Sequence, residues 1–137
     1  MMEFKAFFFD PIEAALIELG YIAQDTIIDT FEKIDWNDYL QKSKNAKIDE
    51  IYYHPTFEVE HNKSKNGLSI SVIGEPNNYA FKITYKRPQK VKSIFGLNDK
   101  ITDIYSVIEG QTKNDAIDCL KALLRNDTMY LVNKVGQ

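Results

Sequence analysis

The sequence is poor in cysteine, so covalent cross-links cannot hold its fold. Cys119 is the only cysteine among 137 residues, and no disulfide can form within the chain. A domain of this length buries roughly two-thirds of its unfolded surface and needs no such cross-link. Because Cys119 lies inside a predicted helix close to Asp115 and Asp118, we expect a structural thiol rather than a reactive one. A lone cysteine also fits a reducing compartment, and we predict a cytoplasmic protein.

The sequence also lacks long apolar runs and glycine-rich loops. No stretch of 18 residues is apolar throughout, so we expect no membrane span. The six glycines are scattered, which excludes a phosphate-binding loop, and the motifs GxSxG, HExxH and CxxC are missing. These absences favour a protein that is not an enzyme and that binds no cofactor.

What the sequence does contain is charge of opposite sign in two separate segments. Residues 10–38 carry eight acids and one base, hence a net charge of −7, although the whole chain carries only −3. Residues 82–100 carry six bases and one acid, hence a net charge of +5. Surfaces of opposite charge can dock on one another, so the two segments are expected to meet within one molecule or between two copies.

Helical periodicity dominates the first third of the chain. Asp10 and Glu13 have the spacing of a capping box, with a proline between them at the first helical position, which predicts that a helix starts there. Apolar residues follow at helical spacing, and the helix either ends at Gly20 or continues through TIIDTFEKI. A shorter helix is predicted after Asp35.

The end of the chain contains the most secure helical signal. Thr112 and Asp115 form another capping box before an amphipathic stretch, which predicts a helix over about 112–126. Residues 128–135 favour a strand, because β-favouring residues follow Asn126, which can stop a helix.

Between these helices the apolar period changes from 3.6 to 2, which is typical of strands with one dry and one wet face. Three such strands follow one another with turn sequences between them, and Pro88 is expected to end the third. The last predicted strand has apolar residues on both faces, so we expect both of its faces to be covered. The first predicted strand, residues 3–9, is expected at an edge of the sheet. The predicted strands are 3–9, 56–61, 68–72, 79–85, 90–95 and 101–110.

These elements predict the fold class α+β. An antiparallel β-meander of four to six strands should carry the N-terminal helices and one C-terminal amphipathic helix on one face, because the dry side of the sheet needs a cover. We expect a single domain over residues 1–137. Its helical part should span about 10–45, its sheet about 51–109 and its C-terminal helix about 112–126.

Both histidines lie beside two glutamates in the stretch YYHPTFEVEH, residues 52–61. Glu58 and Glu60 share one face of a strand, with side-chain roots roughly 6.5–7 Å apart, and His54 has the same parity. A zinc site needs three or four ligands that converge on one point, so His54, Glu58 and Glu60 are only weak metal candidates and we expect no metal. His61 has core parity and is expected to be partly buried and hydrogen-bonded.

The first functional hypothesis is a non-catalytic interaction protein of the cytoplasm. Split charge and open sheet edges predict self-association, as a homodimer, through acidic and basic surfaces. Weak nucleic-acid binding through residues 82–92 is a third hypothesis, which the acidic net charge disfavours. The predicted contact residues are Lys82, Lys86, Arg87, Lys90 and Lys92.

The second hypothesis is a small apolar-ligand binding protein, or an enzyme, with a pocket between a curved sheet and the helices. Aromatic residues are frequent enough to line such a pocket, although simple core packing is the plainer interpretation of the same rings. The predicted lining residues are Phe57, Tyr79, Phe81, Tyr85 and Tyr105.

Overall fold

The computed structural model describes residues 4–11, 16–46, 54–92 and 99–136, and it confirms the α+β class. Six strands form one antiparallel sheet in the order β2-β1-β3-β4-β5-β6. The strands are β1 (Phe4–Phe9), β2 (Leu16–Ile22), β3 (Thr56–His61), β4 (Gly67–Glu75), β5 (Asn78–Lys92) and β6 (Asp99–Gln111). The helices are α1 (Gln24–Lys33), α2 (Trp36–Asn45), α3 (Lys113–Leu124) and α4 (Thr128–Val135).

Alternation along the strands gives the sheet its dry face, as predicted. Phe57 and Val59 of β3 are buried, whereas Glu58 between them is partly exposed. The helices cover the dry face, and Phe31 of α1 lies at the centre of the contact. Its ring centroid is 5.5 Å from Trp36, 5.9 Å from Phe57 and 5.8 Å from Phe81. These interlocked rings join the two layers, because each buries its whole side chain against the next.

The helix predicted from Asp10 is wrong for residues 16–22, whereas its continuation through TIIDTFEKI is confirmed by α1, which ends at Lys33. Residues 16–22 form the strand β2, which pairs antiparallel with β1, and residues 12–15 lie outside the described residues. Gly20 has φ +76°, which no right-handed helix contains. Strand pairing outweighs local helical propensity here, because β1 lies inside the sheet and needs a neighbour on each side. The expectation that 3–9 is an edge strand is therefore also wrong.

The predicted end of the third strand at Pro88 is wrong too, since β5 continues to Lys92. Pairing between β4 and β5 stops at Gly67↔Lys86, so the missing N–H of Pro88 faces no second neighbour. Residues 90–92, which were assigned to a separate strand, belong to β5, and 93–95 lie outside the described part. The expectation that the last strand is covered on both faces is wrong, because Ile101, Tyr105 and Val107 share one face of the edge strand β6 and are exposed.

The helices α2 and α3 begin where the caps predict them. The carboxylate of Asp35 accepts a hydrogen bond from the Asp38 backbone N–H and starts α2, and Thr112 and Asp115 form the predicted capping box of α3. The strand prediction for 128–135 is wrong. Asn126, with φ +58°, does end α3, but Asp127 then caps the new helix α4.

Substituting Gly20 with alanine tests the strand assignment, because a strand and a helix predict opposite changes in the free energy of unfolding. A Cβ at this position meets no atom of the described part of the chain within 4 Å, so the left-handed backbone is what resists the substitution. We expect Gly20→Ala to lower the free energy of unfolding by about 1–2 kcal/mol in urea denaturation. Gly110, with φ +68° and the same open space, should behave alike. A gain of about 1 kcal/mol at Gly20 would instead indicate a helix.

A matched pair of truncations tests the helix α4. Leu131 is buried and Met129 is 77% exposed, whereas on a strand the two side chains would share a face. Leu131→Ala should therefore cost about 2–5 kcal/mol of unfolding free energy. Met129→Ala should change it by less than about 0.5 kcal/mol. Equal losses from both variants, measured by chemical denaturation, would contradict the helix.

Candidate interaction surface

The face of the sheet opposite the helices carries a row of alternating charges. Backbone register aligns Lys5, Glu60, Gly67, Lys86 and Tyr105 on five consecutive strands, from β1 to β6. We call this side of the sheet the open face. Since cross-strand neighbours on one face interact directly, the order of charges along this row is favourable.

An ion pair spans the middle of the open face. The ammonium of Lys86 donates to a carboxylate oxygen of Glu60, although a whole strand lies between them. The pair can form because the intervening residue is Gly67, which has no side chain to separate them. Partial burial by itself lowers the pKa of Lys86, but the hydrogen bond and charge of Glu60 outweigh it and the pKa lies above its usual value.

The predicted basic contact residues do not all lie on one face of the sheet. Lys82 and Lys86 lie on the open face, but Arg87 has the opposite parity, and its guanidinium carbon lies 5.5 Å from the centre of the Tyr85 ring. Lys86 is already paired with Glu60. A continuous basic groove for nucleic acid therefore gains no support from these side chains. Lys90 and Lys92 lie further along β5, in register with Ile101 and Asp99.

The weak metal candidates do not converge on one point. Glu58 accepts a hydrogen bond from the Ser69 hydroxyl at 2.9 Å, and Glu60 pairs with Lys86. His54 is exposed and precedes the first residue of β3. Within the described ranges, no three His, Cys, Asp or Glu side chains are close enough together to hold a metal ion.

The remaining titratable candidates have structural roles. The Nδ1 atom of His61 accepts hydrogen bonds from the backbone N–H groups of Lys63 and Ser64, which closes the β3–β4 hairpin. The ring of His61 also packs edge-on against Phe4, with centroids 5.1 Å apart. Cys119 is buried, and burial raises the pKa of its thiol to about 11. A thiol with this pKa stays protonated at neutral pH and is a poor nucleophile.

The predicted aromatic pocket is not assembled as a unit. Phe57, Phe81 and Tyr85 are buried in the core, and Tyr79 packs edge-on against Phe81 at a centroid distance of 5.9 Å. Placing Tyr105 with them is wrong, because it lies on the open face and is 60% exposed. The alternation of β6 explains the difference: Ser106 opposes the inward-facing Tyr85, so its neighbour Tyr105 must point outward.

The edge strand β6 is the feature that the sequence-based site prediction missed. It pairs with β5 from Ile108 to Asp99. Because β4 pairs with β5 only as far as Lys86, the parts of β5 and β6 beyond that point form a two-stranded arm. Ile101, Tyr105 and Val107 are 73%, 60% and 48% exposed. The apolar residues on both parities of β6 are visible in the sequence, but they do not show whether this chain or a second one covers them.

The pKa of Lys86 tests the ion pair across Gly67. We expect Glu60→Gln to lower this pKa, measured by NMR at the lysine Cε, because its hydrogen bond and its opposite charge are lost. A raised folded-state pKa stabilises the fold below the unfolded pKa, and this contribution disappears as pH rises through the folded pKa. Glu32→Gln, on the exposed surface of α1, is the control. An unchanged Lys86 pKa in Glu60→Gln would exclude the pair.

None of the helices in the described ranges is long and apolar enough to cross a membrane. Comparison of the chain with models of protein families, with curated proteins and with solved structures finds no match.

Proposed function

We propose that this chain is a non-catalytic interaction protein of the cytoplasm that self-associates by pairing its β6 edge with β6 of a second copy. The observation that carries the proposal is the edge strand itself, which is 13 residues long and exposes three large apolar side chains. A long apolar edge with unpaired backbone groups is a template for strand addition.

The two edges of the sheet differ in a way that favours β6. At the other edge, Ala6↔Gly20 is followed by Phe7↔Glu18, so Leu19 forms a bulge in the short strand β2. Bulges and short strands are common devices that protect an edge from pairing. On β6 the register is regular from Asp99 to Ile108, and the only shift described comes beyond that, before Gln111.

Pairing of β6 with its own copy would close at two molecules. Antiparallel pairing about a two-fold axis uses the same surface on both partners, whereas a contact between β6 and β2 could repeat without end. A two-fold axis perpendicular to the sheet leaves both helix layers on the same side. The exposed side chains of Ile101, Tyr105 and Val107 would then gain cross-strand neighbours from the second copy.

In this arrangement complementary charge does not join the acids of α1 to Lys82 and Lys86, either within one molecule or between two copies. The exposed acids of α1 and α2, such as Asp29 and Glu32, lie on the helix layer, whereas these lysines lie on the open face. Asp29 and Glu32 therefore lie on the opposite side of the sheet from Lys82 and Lys86. The backbone of β6 gives a more specific contact than this separation of charge.

The non-catalytic part of the proposal is supported by the way polar groups of the open face are paired. Glu58 binds Ser69, Glu60 binds Lys86, and the hydroxyls of Thr56 and Ser71 lie 2.7 Å apart. Groups that satisfy one another in this way are poorly placed to act on a substrate. Ligand binding beneath the sheet would need the packed rings of Phe31, Phe57 and Phe81 to separate.

Placing a charge on β6 tests the proposal. We expect the wild-type chain to sediment as a dimer at about 100 μM, and Tyr105→Lys to weaken dimerisation at least about tenfold, because a lysine on an edge strand disfavours pairing. Tyr79→Lys is the matched control, since Tyr79 is 38% exposed but does not lie on β6.

Hydrogen exchange gives an independent readout of the same contact. In the dimer, the backbone N–H groups of β6 that point away from β5 should exchange slowly, and dilution or Tyr105→Lys should remove this protection. A wild-type monomer at all concentrations, or a dimer in which these groups exchange freely, would overturn the proposal.

A further inference from the structure

A groove lies at the opposite edge of the sheet from β6, between the first two strands and the helices α1 and α2. Its volume is about 560 Å³, within the roughly 300–1,000 Å³ typical of small-molecule sites. The residues that line it are Phe8, Leu19, Thr30, Lys33, Ile34, Asp35, Asp38 and Tyr39. Because β2 and β6 are the two outer strands, the groove is separate from the proposed dimer contact.

The floor of the groove is apolar and aromatic. The ring of Phe8 lies 4.8 Å from that of Tyr39, centre to centre, and Ile34 is partly buried beside them. Leu19 is 40% exposed because the bulge of β2 turns it out of the regular pairing. A flat hydrophobic body can therefore lie on this floor and cover side chains that water now contacts.

Two lining residues of the groove, Asp38 and Tyr39, contact the ammonium of Lys42, which does not itself line the groove. The Nζ atom of Lys42 lies 3.1 Å from a carboxylate oxygen of Asp38 and 5.2 Å from the centre of the Tyr39 ring. A carboxylate together with an aromatic face is a cation site. Lys42 and Asp38 are both more than half exposed, so this internal contact is weak and another cation can replace it.

The electrostatic environment of Tyr39 is also acidic. Burial raises the pKa of its hydroxyl, and the charges of Asp10, Asp38 and Asp35 raise it further, while Lys42 opposes them. Negative charge near this ring favours a cation over an anion. Among the described residues that line the groove, Lys33 is basic and Asp35 and Asp38 are acidic.

We infer that this groove binds a small amphipathic organic cation. Its apolar body lies on Phe8, Leu19 and Ile34, and its ammonium takes the place of the Lys42 ammonium between Asp38 and Tyr39. In this arrangement Lys42 is an internal competitor, so its removal improves binding. The inference does not depend on self-association.

The experiment compares two probes with the same ring system and opposite charge. Tryptamine and indole-3-propionate are titrated separately into the ¹⁵N-labelled full chain. We expect tryptamine to bind with a Kd of about 1 mM and to shift the amide signals of Thr30, Ile34 and Tyr39. Indole-3-propionate should bind at least about fivefold more weakly. Equal binding of the two probes, or shifts that avoid the groove, would overturn the inference.

Three variants assign the ammonium position. Asp38→Asn should weaken tryptamine binding about two- to fivefold, and Lys42→Gln should strengthen it by a similar factor. Lys44→Gln is the control, because Lys44 lies on the same helix but lines a different pocket. Weaker binding to Lys42→Gln would contradict the competition. Since Lys42 is exposed, this variant stays folded even if Asp38→Asn does not.

Discussion

The alternation of apolar residues along four adjacent strands is the constraint on which the structure depends. It places Ala6, Phe57, Ile70 and Ile83 on one side of the sheet, where all four are fully buried. Water cannot reach that side, so the helices must cover it, and Phe31 and Trp36 occupy its centre. The other side is left open, and every surface to which we assign a function follows from this division.

The parts of the fold that could be predicted are those in which local and long-range preferences agree. The alternation of apolar and polar residues is sufficient to predict β3, β4 and β5. The capping box at Thr112 is sufficient to predict α3. The failures occur where the preferences conflict. Residues 16–22 have helical spacing, yet β1 offers a backbone partner that a helix would leave unpaired. Asn126 does end the helix α3, but the residues after it form a second helix and not a strand.

The candidate site was harder to predict than the fold, for a physical reason. A run of bases such as Lys86 and Arg87 looks continuous in the sequence, but a strand sends its neighbours to opposite faces. Likewise, apolar residues on both parities of β6 do not reveal whether the cover comes from the same chain or from another. The groove beside Tyr39 combines Phe8 with Asp38, which are far apart in the sequence, so no local motif could identify it.

The glycine between Glu60 and Lys86 has a consequence for strand alignment. If β4 slipped by one position against its neighbours, a side chain would stand where Gly67 now leaves a gap, and the ammonium and carboxylate could no longer reach each other. The same slip would turn Ile70 and Val72 towards water. Gly67 thus favours the observed register of the central strands over registers shifted by one residue.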